Sequence, residues 1–255
     1  MPISSAAQFD RPRVSCIICA YNEAPRIGAV LAVAAAHPLL DEVIVVDDGS
    51  TDGTADVVRR FPGVRLIVCE TNRGKSAAMA TGIEASSNDW LMLLDADLKG
   101  LLPEHIGALA APVFNGSAAV SISLRQNSLM LFRAIGLDFV SGERVVKKAL
   151  LAEALDEMHG LPRFGVEMFM NRRIIERRLP IAVTHWLDVT QARKTEKLGY
   201  WRGVRAEWRM IADLMKATYP LALISQTLRL MVLRVDHPGR APFAVRMRKP
   251  RDHLV

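Results

Sequence analysis

Four short apolar runs, each ending abruptly in a polar cluster, constrain this chain more than any other feature. Val14 to Ala20, Val43 to Asp47, Val64 to Cys69 and Trp90 to Leu94 have strand length, and the intervals between them have room for helices. Strands with helical crossovers of this spacing make a parallel βαβ series. Ala24 to Ala36 reads as the first crossover helix, with Pro25 near its start, where a missing amide hydrogen costs least. Thr54 to Arg60 and Ser76 to Ala85 supply the next two. Ala118 to Leu124 is a further strand candidate, and Ala149 to Met158 a further helix. The chain has 255 residues, 50% hydrophobic but only 6% aromatic. That balance suits helices packed on a buried parallel sheet better than an antiparallel sandwich.

In an open α/β sheet, ligands sit beyond the carboxyl ends of the strands. Here those ends carry Tyr21-Asn22-Glu23, then Asp47-Asp48-Gly49-Ser50-Thr51-Asp52-Gly53, then Asn72-Arg73-Gly74-Lys75, and finally Asp95-Ala96-Asp97. Three familiar readings fail on inspection. Gly74-Lys75-Ser76 ends like a P-loop, but the earlier glycine falls on Cys69; Asp48-x-Ser50-x-Asp52-Gly53 opens like an EF-hand, but the closing glutamate falls on Arg59. No G-x-G-x-x-G is present. Asp95-Ala96-Asp97 leaves an apolar strand directly for two carboxylates, which favours a cation partner of the Mg²⁺ or Mn²⁺ type. Taken alone, D-x-D is weak and equally compatible with a solvated turn.

The order I-I-C-A-Y-N-E, V-V-D-D-G-S-T-D-G-T, N-R-G-K and L-L-D-A-D closely resembles the nucleotide-binding half of family 2 glycosyltransferases, over about 85 residues. The resemblance implies a GT-A fold: Rossmann-like, α/β, with a mostly parallel sheet flanked by helices. It puts Tyr21, Glu23, Asp48 and Ser50 on the nucleoside of a nucleotide-sugar donor and Lys75 near its phosphates. Asp95 and Ala96 then line the donor's ribose, and Asp97 holds Mg²⁺ or Mn²⁺. Ser141-Gly142-Glu143-Arg144 with Arg163-Phe164-Gly165-Val166-Glu167 resembles the acceptor half of glucosyl-3-phosphoglycerate synthases and other GT-A enzymes. That makes Glu167 the candidate catalytic carboxylate. In those synthases a histidine also reaches the metal, but its counterpart here is Lys194, which leaves His185 as the remaining candidate ligand. Arg144 and Lys147, with Lys148, are candidate contacts for an anionic acceptor such as a polyprenyl phosphate, or else surface charge.

The expected organisation is a loose tail at 1–12, a catalytic domain at 13–195 split near residue 100 into donor and acceptor halves, and a basic helical C-terminal extension at 196–255. Residues 1–100 carry 9 basic and 13 acidic residues and the remainder 24 and 14, so the metal side is acidic and the acceptor side basic. Arg202 to Thr218 has a basic amphipathic pattern, readable as a core helix or as an interfacial helix near anionic lipid. Leu221 to Val235 is apolar but interrupted by Gln226, Arg229 and Arg234, so it is expected to lie on a membrane rather than cross one. Three cysteines without a signal sequence point to a cytoplasmic protein, working at the inner membrane face if it meets lipid, and C-x-x-C at Cys16 and Cys19 reads as ordinary core. Two other functions share these features: nucleotidyl transfer or nucleotide-sugar binding on the same fold, and a basic membrane- or nucleic-acid-binding module. The first lacks the Gly-rich basic loop after strand one. Nucleic acid is not an expected partner, because aromatic stacking platforms are sparse.

Overall fold

The structure, a computed structural model, describes residues 11–128, 130–161, 165–191 and 220–235, with the side chains of 130, 131 and 220–224 excepted. The expected strands appear as β1 (Val14–Ala20), β2 (Glu42–Asp47), β3 (Val64–Val68), β4 (Trp90–Asp95) and β6 (Val120–Arg125). They lie in one seven-stranded sheet of order β3-β2-β1-β4-β7-β6-β8, completed by β7 (Arg144–Lys147) and β8 (Ile181–Trp186). All neighbours pair in parallel except β7, which runs antiparallel to both β4 and β6. A separate two-stranded ribbon joins β5 (Leu98–Lys99) to β9 (Thr190–Gln191).

Period-two alternation splits the core into two layers. On one face Cys16, Ile18, Met92, Leu94 and Val145 meet helices α1 (Ala24–Ala34), α2 (Thr54–Val58) and α4 (Pro103–Phe114). On the other, Ile17, Leu91, Leu93 and Val146 meet α3 (Lys75–Ala85), α5 (Met130–Ile135), α6 (Ala149–Ala152), α7 (Leu155–His159), α8 (Gly165–Glu176) and α9 (Pro220–Leu233). The helix expected over 149–158 is therefore two short ones, α6 and α7. The C-x-x-C spacing sends Cys16 into the first core and Cys19 toward the other face, so the two thiols do not face one another. Burial pushes the Cys19 thiol up to about 12.

The extension expected after 195 is not free of the domain where it is described: α9 buries Leu230 in the second core, and Arg234 bridges to Ile181 at the start of β8. The tail at 1–10, Lys194 and the amphipathic segment at 202–218 lie outside the described residues. Among the described residues no helix is long and apolar enough to cross a membrane.

Candidate functional site

The loops after β1 and β2 are tied together by short polar bonds. The Asn22 amide donates to Ser50 Oγ at 2.9 Å, the Thr51 amide to Asn22 Oδ1 at 2.9 Å, and the Glu23 amide to Thr54 Oγ1 at 2.9 Å. Asn22 holds φ at 55°, a left-handed turn that asparagine tolerates better than most residues. Gly49 has φ 74°, and a Cβ there would stand 2.8 Å from the Asn72 amide nitrogen, which is why the D-D-G-S turn needs glycine. This close approach presses the β2 loop onto the Asn72 loop. Asp48 completes it: its Oδ1 accepts from the Arg73 amide at 2.9 Å and its Oδ2 from the Gly74 amide at 2.7 Å.

Lys75, the first residue of α3, is therefore held at a fixed place. Its Nζ lies 2.8 Å from Asp95 Oδ1 at the end of β4 and 2.9 Å from Glu167 Oε1 in the first turn of α8. Desolvation pulls the ammonium down, but Asp95 and Glu167 outweigh it and hold its pKa well above the usual value. Asp95 shows the converse balance: burial raises its pKa, while Lys75 and Arg125 lower it further, leaving the carboxyl below the usual range. Its Oδ2 accepts from Gln191 Nε2 at 3.1 Å and faces Arg125 Nη1 at 3.7 Å. Arg125 in turn pairs with Glu143 at 2.7 Å, and the far oxygen of Glu143 accepts from Ser123 and Ser141, each at 2.6 Å. Glu143, Arg125, Asp95, Lys75 and Glu167 thus form a line of alternating charge, buried except at Lys75. Gly142 closes it, because a Cβ there would lie 2.5 Å from Asp95 Oδ1.

Asp97 stands apart from this line. Burial and the neighbouring Asp95 carboxylate, with Glu23, raise its pKa to about 6, offset only in part by Gln191 and Arg125. A crowded oxygen donor of this kind fits a hard divalent cation.

At the carboxyl ends of the strands Lys75, Asp95 and Glu167 meet, Glu23 and Asp97 stand close enough to interact, Ser50 is tied to the Asn22 loop, Tyr21 is 47% exposed, and Ala96 is buried between the two carboxylates. Three expectations need correction. Arg144 faces no acceptor: as part of β7 it is fully buried, donating to Asn171 Oδ1 at 2.7 Å and to the Ser141 and Phe139 carbonyls. Desolvation lowers that guanidinium to about 10. Lys147 lies at the opposite end of the sheet, over the Trp90 ring at 5.3 Å and in register with the first residue of β4. Among the described residues no three His, Cys, Asp or Glu side chains converge as metal ligands, and His185 lies on edge strand β8. Asp48 is buried, with both oxygens engaged by backbone amides, so it shapes the loop that positions Lys75.

Arg125, Gln191 and Gly142 were missed as site residues. The sequence carried a usable signal only for Arg125, which directly ends the apolar strand run from Ala118 to Leu124.

A model of glycosyl transferase family 2 matches residues 15–160. Among curated relatives, an undecaprenyl-phosphate 4-deoxy-4-formamido-L-arabinose transferase of Aeromonas hydrophila is 36% identical over 47% of this chain and 39% of its own length. A dodecaprenyl-phosphate galacturonate synthase of Rhizobium johnstonii is 24% identical over 81% of this chain and 66% of its own. The chain spans from 21% to 66% of the length of curated relatives such as these. In structure it is similar to glucosyl-3-phosphoglycerate synthase of Mycobacterium tuberculosis in complex with Mn²⁺, UDP and glucosyl-3-phosphoglycerate. That likeness has a TM-score of 0.61 at 24% identity and covers 81% of this chain and 80% of the other, so it bears on the fold.

Proposed function

The chain belongs to glycosyl transferase family 2, and from that premise we propose that it transfers a sugar from a UDP- or GDP-sugar to the hydroxyl or phosphate oxygen of a phosphorylated or lipid-phosphate acceptor, with Mg²⁺ or Mn²⁺ at Asp97. The observation that carries this reading is the contact of Lys75 with both Asp95 and Glu167, residues 20 and 92 positions away, beside the tied loops of β1 and β2. Donor and acceptor carboxylates thereby share one cation at the carboxyl ends of the strands.

In this arrangement Tyr21, Glu23 and Ser50 border the nucleoside. Asp95, fixed on three sides, meets the donor sugar or ribose through its remaining lone pairs. A divalent metal supplies, when bound, neutralisation of the charge that develops on the departing diphosphate. Asp97 would be the residue that holds it. Lys75 grips Glu167 Oε1, whereas Glu167 Oε2 is buried without a hydrogen-bond partner. An unpaired buried oxygen of this kind is costly to leave unmet. An acceptor hydroxyl donating to it would satisfy it and would be oriented for attack. The relatives whose names specify undecaprenyl and dodecaprenyl phosphate, and the structure whose title names glucosyl-3-phosphoglycerate, support a phosphate-bearing acceptor.

Thermal melting with a panel of nucleotides and nucleotide sugars, with and without Mn²⁺, tests the reading. At 100 times its Kd a ligand adds about 2.7 kcal/mol, which raises Tm by roughly 5 to 10 °C for a chain of this size. Asp97→Ala should lose the Mn²⁺-dependent part of that rise. A parent protein that no nucleotide stabilises sinks the proposal.

A further inference from the structure

Most large apolar side chains left exposed among the described residues are scattered, but Leu228 (58%), Met231 (38%) and Val232 (84%) stand together on α9. Their spacing of three and four residues places them on a single stripe. The opposite side of the same helix is anchored. Leu230 is fully buried, Gln226 Nε2 donates to the Met168 carbonyl at 3.2 Å, and Arg234 Nη1 donates to the Gly136 carbonyl at 3.1 Å. The stripe is thus the outward face of a helix packed on the domain.

The surrounding charge says what would cover it. Arg229 is exposed beside the stripe, Arg234 is turned inward onto Gly136, residues 220–235 hold no acid, and residues 192–255 carry 14 Lys and Arg against 5 Asp and Glu. An apolar stripe set in basic sequence is the composition that settles at an anionic lipid surface, with arginine stems lying along the apolar region and their heads at the phosphates. A helix of 14 residues is about 21 Å long, too short for the roughly 30 Å hydrocarbon core, so it lies in the interface rather than spanning it. Pairing with a second copy through the same stripe would bring Arg229 against its own counterpart across a two-fold axis, a like-charge contact. The Gln226 contact reaches Met168, the residue after Glu167, so the middle of α9 lies beside the helix turn that carries the proposed acceptor carboxylate.

We propose that the outer face of α9, formed by Leu228, Met231 and Val232 with Arg229, seats this protein on an anionic lipid bilayer with the Glu167 side of the crevice near the lipid. The seating of the crevice rests on the sugar-transfer reading above; the lipid contact itself does not.

The test is co-sedimentation of the 255-residue chain with phosphatidylcholine vesicles and with vesicles that also contain phosphatidylglycerol, at low and high salt. Expected is binding to the anionic vesicles that weakens as salt rises. Leu228→Asp with Val232→Asp should reduce it at least about tenfold, the change that about 1.4 kcal/mol produces. Both positions face solvent, so the variant should keep the parent Tm and the parent response to UDP with Mn²⁺. Absence of binding by the parent, equal binding by the variant, or a dimer in sedimentation velocity that the variant disperses would each overturn the proposal. A parent that binds vesicles but answers to no nucleotide leaves the lipid surface standing and removes the sugar-transfer reading; the reverse result removes the surface alone.

Discussion

Gly142→Ala adds one methyl group at the tightest point of the charged line. The glycine does not occupy the left-handed region, so alanine can adopt its backbone and the effect comes from contact alone. The new Cβ would stand 2.5 Å from Asp95 Oδ1 and 2.8 Å from Lys75 Nζ, whereas ordinary contact begins near 3.4 Å, so something must yield by roughly 0.9 Å. Asp95 has little freedom to do so, held by Lys75 at 2.8 Å and by Gln191 at 3.1 Å. Overpacking of this kind costs about 1 to 3 kcal/mol, a Tm loss on the order of 2 to 12 °C. A displacement approaching 1 Å in a reacting group costs on the order of a hundredfold in rate. Melting curves, the Mn²⁺-dependent nucleotide response and release of nucleoside diphosphate measure the three effects. Gly107→Ala is the control: it lies within α4 with nothing inside 4 Å of its Cβ, so it should gain about 0.5 to 1 kcal/mol. If Gly142→Ala melts and responds like the parent, Asp95 and Lys75 are not held as tightly as argued.

Three further outcomes are expected. Glu143→Gln removes the charge that compensates Arg125 in a site where both are buried, and urea unfolding should show a loss of about 3 to 5 kcal/mol. Lys75→Met should cost less, about 2 kcal/mol, because the lysine side chain keeps 39% exposure; combined with Glu167→Gln, part of that loss should return in a double-mutant cycle, and strict additivity would show the pair to be uncoupled. With its thiol near 12, half-buried Cys19 is about one part in ten thousand thiolate at pH 8 and should resist Ellman's reagent until the protein is unfolded; rapid labelling of native Cys19 would contradict the raised pKa.

The strand-end part of the candidate site was legible because its residues follow strands. A strand-length apolar run must stop where the sheet stops, and the residues that follow it face the crevice. That rule singled out Tyr21, Ser50, Lys75, Asp95 and Asp97, and the family resemblance of the G-V-E segment singled out Glu167. Arg144 and Lys147 misled for a reason equally physical. Four residues with only two apolar members gave no strand signal, so β7 went unseen, and with it the burial of its first residue and the remote position of its last. Gln191 lies 96 residues from Asp95, in a two-residue strand whose identity depends wholly on pairing with β5. No local pattern reports such a contact.

The sequence by itself determined the βαβ succession, the order of the strand-end motifs and hence the family, because these follow from local periodicity and from the chemistry of residues adjacent in the chain. Tertiary structure decided who meets whom at the site. Lys75 lies between two carboxylates, Asp48 builds a loop, Arg144 sits in the core, and α9 turns one face inward and one outward. Strand order and register, which place residues 20 to 96 positions apart within 3 Å or so of one another, are set by the packing of the two core layers as a whole.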